Sequence, residues 1–268
     1  MLRVPVFVLA VLVLAYAAPS AAGPIFLTGH DPDFHAPEGQ DNLLATGLNF
    51  ATGGSGRILW VESIMAPPDG HRIGALGLVD IGLVPGVHFD VANGALFATA
   101  DLSLYDAIGV ASSFGGLLTR AELDALIARA DDIAAFINAG GGLFASAECY
   151  PCGANLLAGA TAPDLFGFLP VNVTSIVANP PFTVTAFGAS LGLTDADMNF
   201  PTHNSFGLNG GLSIVDFDAA GNPTTLAGNV RIEDDVIVPD VAVPEPASLL
   251  LVGTGLAGLI TRARRRRQ

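Results

Sequence analysis

The sequence predicts an α/β fold, a single three-layer sandwich around a mostly parallel sheet. Short apolar segments alternate with helical patterns along the body of the chain. The clearest helix begins with a capping box from Thr119 to Glu122 and ends at the glycines 140–142. Apolar strands are predicted before it at 106–111 and after it at 143–147, which makes a βαβ unit with a right-handed crossover.

The other elements are predicted from the same kinds of signal, taken along the chain. Short apolar runs bounded by glycine, proline or polar residues predict strands at 24–28, 57–63, 87–91, 173–178 and 182–187. A helix is predicted from Asn42, its capping residue, to about residue 50, and another around 73–81. The turn residues between 212–217 and 223–227 predict a late β-hairpin.

The first 22 residues have the composition of a secretory signal peptide. Arg3 supplies the early positive charge, an apolar core covers 4–18, and small residues from Ser20 to Ala22 form a cleavage site. We expect signal peptidase to cut after Ala22 and the chain to be exported. A first transmembrane helix is the alternative for this segment.

The last residues, 243–268, are arranged in three parts. Pro244, Glu245 and Pro246 are predicted to be extended, because proline disfavours helix for itself and for the residue before it. An uncharged apolar run at 247–261 follows, and as a helix it rises about 22 Å, short of a ~30 Å hydrocarbon core. Basic residues that can snorkel to the interface end the chain, and they predict that the body lies outside. They are Arg262, Arg264, Arg265, Arg266 and Arg267.

This order of tripeptide, apolar helix and arginine cluster resembles the PEP-CTERM sorting signal of Gram-negative bacteria. The resemblance implies recognition by an exosortase, a membrane cysteine enzyme, and cleavage near Pro244. It also implies transient anchoring in the inner membrane through the C-terminal helix, and then transfer to the outer surface or the exopolysaccharide matrix. An ordinary C-terminal membrane anchor is the alternative, and it also leaves the body outside the cytoplasm.

The body between these two ends is strongly acidic. The chain has 25 acidic residues against 11 basic ones, a net charge of −14, and no lysine. Without Arg3 and the basic tail only five arginines remain, so the exported body carries about −20. This charge excludes a nucleic-acid partner, because phosphates require Lys and Arg, and it makes divalent cations natural counter-ions. We expect one domain at 23–230 and an acidic linker at 231–242.

The segment 105–147 resembles the corresponding part of class I glutamine amidotransferase-like domains, in particular the ThuA-like branch. In those families an aspartate precedes a strand, a T-x-x-E helix ends in three glycines, and the next strand leads to the functional turn. The resemblance implies a flavodoxin-like sandwich and places Cys149 where amidotransferases carry their nucleophile. Glu148 and Tyr150 stand where that family has glycines, so a glutaminase site is not implied. Glu148 and a late histidine, His203, are the candidate catalytic residues.

The loop from His30 to His35 holds two imidazoles and two carboxylates after the first predicted strand. Ligands of open α/β sheets bind at the carboxyl ends of the strands. We therefore expect a ligand site here, or a site for a divalent metal ion such as Zn²⁺, Mn²⁺ or Ca²⁺. The candidate residues are His30, Asp31, Asp33 and His35. The histidines could instead bind sugar hydroxyls or act as acid and base, and a purely structural loop closed by Asx turns is a third interpretation.

The two cysteines, Cys149 and Cys152, are predicted to form a local disulfide across a turn, because an exported protein meets an oxidising compartment. A redox-active pair is the alternative, since CxxC is also the spacing of thiol oxidoreductases. A metal site built on these two residues alone is not expected, because the chain has no other cysteine.

Two functions fit these features. The first is a non-catalytic surface or matrix-associated protein that binds a ligand such as carbohydrate or a metal ion. The second is a divergent hydrolase, metal-dependent if the loop holds an ion, that acts on envelope or matrix carbohydrate. Convergence of the His30–His35 loop with Glu148 and His203 in one cleft would favour the hydrolase. Side chains that are each bonded to a separate partner would favour the first function.

Overall fold

The computed structural model describes residues 22–36, 39–63, 75–113, 117–146, 165–174, 178, 180–199, 204–233 and 235–240. The strands are β1 (Gly23–Thr28), β2 (Ile58–Val61), β3 (Phe89–Ala92), β4 (Ala107–Val110), β5 (Gly142–Ser146), β6 (Val173–Thr174), β7 (Thr183–Val184), β8 (Ser205–Phe206), β9 (Ser213–Phe217), β10 (Pro223–Glu233) and β11 (Val236–Pro239). The helices are α1 (Pro32–His35), α2 (Asp41–Thr52), α3 (Leu76–Asp80), α4 (Gly94–Phe97), α5 (Arg120–Ala128), α6 (Ala130–Asn138), α7 (Ala186–Ser190) and α8 (Asp195–Met198). Among the described residues no helix is long and apolar enough to cross a bilayer. The predicted apolar segments at 4–18 and 247–261 lie outside these ranges.

One mixed sheet organises the fold, with its strands in the order β3-β2-β4-β5-β1-β10-β9-β7 and with β11 paired to β10. The strands from β3 to β1 run parallel. The late strands β10, β9, β7 and β11 pair antiparallel. A large sheet whose parallel half alternates with helices along the chain confirms the α/β class.

The strand order differs from the expected flavodoxin-like order, 2-1-3-4-5, in the place of the first strand. In that order the first strand lies next to the edge strand, whereas β1 lies between β5 and β10 in the middle of the sheet. Ile25 pairs with Leu143 of β5, and Phe26 pairs with Ala227 of β10. The late antiparallel strands therefore extend the sheet beyond β1, and the flavodoxin-like expectation is not confirmed.

Alternate residues of the central strands face two separate layers of core. Ile25 and Leu27 of β1 pack in the layer that contains residues of α4, α5 and α6, and Phe26 packs in the layer that contains residues of α2 and α3. In the second layer the rings of Phe26, Phe144 and Trp60 stack at centroid distances of 6.0 and 6.1 Å. Helices on both faces make the three layers that the sequence predicts.

The helix predicted after the capping box is divided into two. The box itself is present between Thr119 and Glu122, as expected. Arg129 leaves helical geometry, with φ −111° and ψ 22°, and separates α5 from α6. Its Nη1 donates to the carbonyl oxygens of Phe97 and Ala100, at 2.7 and 3.0 Å. The break therefore places a guanidinium on the carbonyl groups at the end of α4, where a cation is favourable.

Of the strands expected at 173–178 and 182–187, the described residues contain the two-residue strands β6 and β7, and residues 175–177 lie outside the described ranges. After β7 the Thr185 hydroxyl accepts a hydrogen bond from the Gly188 backbone N–H at 3.1 Å and caps α7. A threonine cap competes with strand formation at this point, so the second segment continues as a helix.

The acidic segment at 231–242, expected to be a linker, is mostly part of the sheet. Strand β10 extends to Glu233, and β11 pairs back on it in antiparallel register. Asp235 lies in the turn between the two strands, with φ 60°, in the left-handed region. The side chains of Glu233 and Asp235 are both exposed. Ile237 of β11 is buried against the core. The segment is a hairpin because its apolar residues face the core while its charges collect at the turn.

Candidate functional site

Buried polar side chains collect at the carboxyl edge of the parallel strands, where the sequence places the candidate site. We call this group the carboxyl-edge layer. Its members are each at most 3 % exposed and are, in chain order, His30, Asp31, Asp33, Glu62, Ser112, Ser146 and Asp216. Because burying an unpaired polar group is costly, the hydrogen bonds of these residues show what the layer does.

His30, directly beyond β1, is bonded to the antiparallel half of the sheet. Its Nε2 lies 3.0 Å from Oδ2 of Asp216 on β9, and both side chains are fully buried. Its backbone N–H donates to the Thr28 hydroxyl at 3.1 Å, and that hydroxyl lies 3.0 Å from the hydroxyl of Thr225 on β10. The imidazole edge packs on the Phe182 ring at a centroid distance of 4.9 Å. His30 therefore joins β1, β9 and β10 at this edge.

Asp31 and His35 form a pair within the loop itself. The His35 Nε2 lies 3.3 Å from the Asp31 Oδ2, one helical turn apart across α1. The Asp31 side chain is fully buried, and the His35 side chain is 17 % exposed. This contact keeps the Asp31 and His35 side chains together at the two ends of α1.

Asp33 links the loop to the end of β4. Its Oδ2 accepts the backbone N–H of Ser112 at 2.8 Å. Burial raises the pKa of Asp33 to about 6, although the hydrogen bonds from Ser112 act in the opposite direction. The other oxygen, Oδ1, is buried without a hydrogen-bond partner. Asp33 is therefore a carboxyl group that titrates near neutral pH inside the fold.

Glu62 follows β2 and is a buried carboxylate that sequence reasoning did not identify. Its Oε2 accepts the indole N–H of Trp60 and the backbone N–H of Ala75, both at 2.9 Å. Ala75 is the residue before α3. Glu62 therefore attaches α3 to the end of β2, which is a structural contact.

The structure does not gather the four candidate residues of the loop around one centre. His30 is hydrogen-bonded to Asp216 and Asp33 to Ser112, and the His35 Nε2 lies 3.3 Å from the Asp31 Oδ2. Within the described ranges there is no group of three or more His, Cys, Asp or Glu side chains that could hold a metal ion. The reason is geometric: His30 faces β9 and Asp33 faces the end of β4, whereas Asp31 and His35 lie against each other within the loop.

The remaining candidate residues lie outside the described ranges. They are the predicted catalytic residues Glu148 and His203, the disulfide partners Cys149 and Cys152, the motif residues Pro244, Glu245 and Pro246, and the basic tail from Arg262 to Arg267.

Asp216 is a described residue that the sequence analysis missed, because an aspartate in an alternating hairpin sequence suggests an exposed face. The signal in the sequence was its apolar neighbours: Asp216 lies between Val215 and Phe217, and Val215 and Asp216 are both buried in this strand.

Residues 242–267 match the family model of the PEP-CTERM protein-sorting motif. No curated protein and no solved structure matches the chain. The match confirms the interpretation of the tail, and it supports an exported protein that is transiently anchored in the membrane and sorted by an exosortase of a Gram-negative bacterium. The amidotransferase-like resemblance of the body is not confirmed by these comparisons.

Proposed function

We propose that this chain is a surface or matrix-associated protein whose α/β body is a non-catalytic, ligand-binding module. Signal peptidase releases the N-terminus, and exosortase cleaves near Pro244 after the C-terminal helix has held the chain in the inner membrane. The acidic body then reaches the outer surface or the exopolysaccharide matrix. The sorting motif supports the route, and the carboxyl-edge layer supports the non-catalytic role of the body.

The observation that carries the non-catalytic role is the separate bonding of the loop side chains. His30 and Asp33 are bonded to two different parts of the sheet, at 3.0 and 2.8 Å. A catalytic acid and base must instead lie within hydrogen-bond reach of one reacting centre. The His30–His35 loop therefore holds the parallel and antiparallel halves of the sheet together at the carboxyl edge. We call this loop, with its partners Asp216 and Ser112, the clasp.

Replacing Pro244 and Pro246 together by alanine is expected to block sorting. Alanine allows the apolar helix to extend through the tripeptide, which removes the extended segment that a protease requires. The variant should remain in the inner-membrane fraction at its unprocessed length, whereas the wild type is recovered from the surface or the medium. Fractionation followed by mass spectrometry of the C-terminus measures both.

The matched control for this variant replaces Val241 and Val243 by alanine, which leaves the tripeptide intact. It should be processed like the wild type. Surface recovery of the double proline variant at the wild-type level would contradict the proposed route.

A divergent hydrolase of envelope or matrix carbohydrate is the second candidate function. Asp33 favours it, because a carboxyl group with a pKa near 6 is suited to proton transfer at neutral pH. In that case the protein should release new reducing ends from the exopolysaccharide of the producing cell. Asp33→Asn should abolish this release, and Asp124→Asn, at an exposed position on α5, should retain it. Release that is absent in the wild type supports the non-catalytic role.

A further inference from the structure

A cavity opens at the amino edge of the parallel strands, at the opposite end of the sheet from the His30–His35 loop. We call it the amino-edge cavity. Its volume is about 480 Å³, within the roughly 300–1,000 Å³ of small-molecule sites. It is bordered by Pro24 at the start of β1, Asp106 before β4, and Gly140 and Gly141 before β5. Its chemistry can be derived from these surroundings.

The electrostatic environment of the amino-edge cavity is negative. Helices α2 and α6 both end there, since Thr52, Gly53, Ala139 and Gly140 line it. The C-terminus of a helix carries a partial charge of about −0.5 and stabilises cations. The whole chain adds a net charge of −14. A cation is therefore favoured over an anion as the occupant.

Asp106 supplies a full negative charge at the wall of the cavity. Its side chain is exposed, and its Oδ2 accepts the backbone N–H of Arg57 at 2.7 Å. The guanidinium of Arg57 is paired with Asp90, at 2.7 Å. The second carboxylate oxygen of Asp106 therefore remains available to accept hydrogen bonds from a ligand.

Two aromatic rings complete the wall. Tyr105 and Phe136 both line the cavity. The Phe136 ring lies directly on Gly141, where an added Cβ would come within 2.4 Å of it, so the glycine allows the ring its position. The Arg57 guanidinium already lies 5.7 Å from the Tyr105 ring centroid, so Phe136 is the aromatic ring of the wall that is left for a ligand.

We propose that the amino-edge cavity binds an organic ammonium ion. The ammonium group donates to the free oxygen of Asp106 and faces the negative ends of α2 and α6, and its methylene groups pack on Phe136. An acceptor-rich wall with aromatic rings is the arrangement that attracts such cations from water. This inference rests on the proposed ligand-binding role of the body, and it names the ligand class and the site.

The test uses the full-length protein in detergent micelles, with n-butylammonium as the probe and n-butanol as its uncharged counterpart. Backbone NMR shifts should change saturably at Gly140 and Gly141 with the ammonium probe, and n-butanol should bind at least about tenfold more weakly, the factor that corresponds to about 1.4 kcal/mol. Asp106→Asn keeps an acceptor for the Arg57 N–H and removes the charge. It should weaken binding of the probe about tenfold.

The matched control is Asp124→Asn, which removes one charge from an exposed position outside the cavity and should leave binding unchanged. If Asp106→Asn does not fold, as judged by circular dichroism, Phe136→Leu replaces it. Phe136→Leu should also weaken binding of n-butylammonium, whereas Phe50→Leu, outside the cavity, should not.

Three results would each overturn the proposal: equal losses of n-butylammonium binding in the cavity and control variants, equal binding of n-butanol, or the absence of a saturable shift. A hydrolytic activity that depends on Asp33 would overturn the proposed function alone, because Asp33 lies at the opposite edge of the sheet.

Discussion

Replacing His30 by alanine is expected to lower the free energy of unfolding by about 2–3 kcal/mol, the upper part of the range for leaving a buried hydrogen-bonding group without its partner. The His30 and Asp216 side chains are fully buried and 3.0 Å apart. Alanine leaves the Asp216 carboxyl group in the core without its main partner, because the other oxygen, Oδ1, already has none. Urea denaturation followed by circular dichroism measures the change.

His88→Ala provides the matched control, because His88 is exposed and its Nδ1 only accepts the backbone N–H of Val84. That variant should lose no more than about 1 kcal/mol. In the double variant His30→Ala/Asp216→Ala, the loss should be smaller than the sum of the two single losses, because both remove the same interaction. A loss below about 1 kcal/mol in His30→Ala would mean that this contact does not hold the clasp closed.

Replacing Asp33 by asparagine is expected to remove a pH dependence of stability between about pH 4 and pH 7. Burial raises the pKa of Asp33 from 3.8 to about 6 in the folded protein, so the fold favours the protonated form. The contribution of the protonated Asp33 to the free energy of unfolding is fully present below pH 3.8 and is lost as the pH rises through 6. The loss amounts to about 3 kcal/mol, because each pKa unit corresponds to about 1.4 kcal/mol.

The measurement is the free energy of unfolding of the wild type minus that of the variant, at intervals from pH 4 to pH 7.5. The introduced amide stays uncharged and its oxygen can still accept the Ser112 N–H, so the difference should fall with rising pH, and the variant should be the more stable protein at pH 7. The control, Asp124→Asn, changes an exposed side chain that is paired with Arg120, and its difference should stay nearly flat. A difference that rises with pH would show that Asp33 is ionised and stabilised in the fold.

Local patterns predicted the parts of the fold that depend on neighbours in the sequence. The capping box at Thr119 was correct, and the strand predicted at 143–147 is present as β5, Gly142–Ser146, because a cap and a short apolar run act over a few residues. The position of β1 was not predictable in this way, because its partners Leu143 and Ala227 are distant in the sequence. The hairpin at 231–239 was missed because its charges suggested solvent, while burial of Ile237 decided the outcome.

In the candidate site, too, the features set by local sequence were predicted and those set by contacts between distant residues were not. The sequence correctly indicated that the His30–His35 loop follows a strand and lies at the carboxyl edge of the sheet. The expectation of one ligand centre depended on where each side chain points, and that is set by tertiary pairing. His30 is bonded to Asp216, 186 residues away, and no local pattern could have indicated that contact.

Amide hydrogen exchange at Ser112 tests most directly whether the carboxyl edge is a closed structural clasp. The Ser112 N–H donates to Asp33 across the loop, at 2.8 Å. We predict that this amide exchanges within about tenfold of the slowest amides of β4 and β5, because it opens only when the domain unfolds. Exchange more than about a thousandfold faster, equivalent to an opening free energy about 4 kcal/mol lower, would contradict the account. It would show a loop that opens on its own and exposes Asp33, as a catalytic site requires.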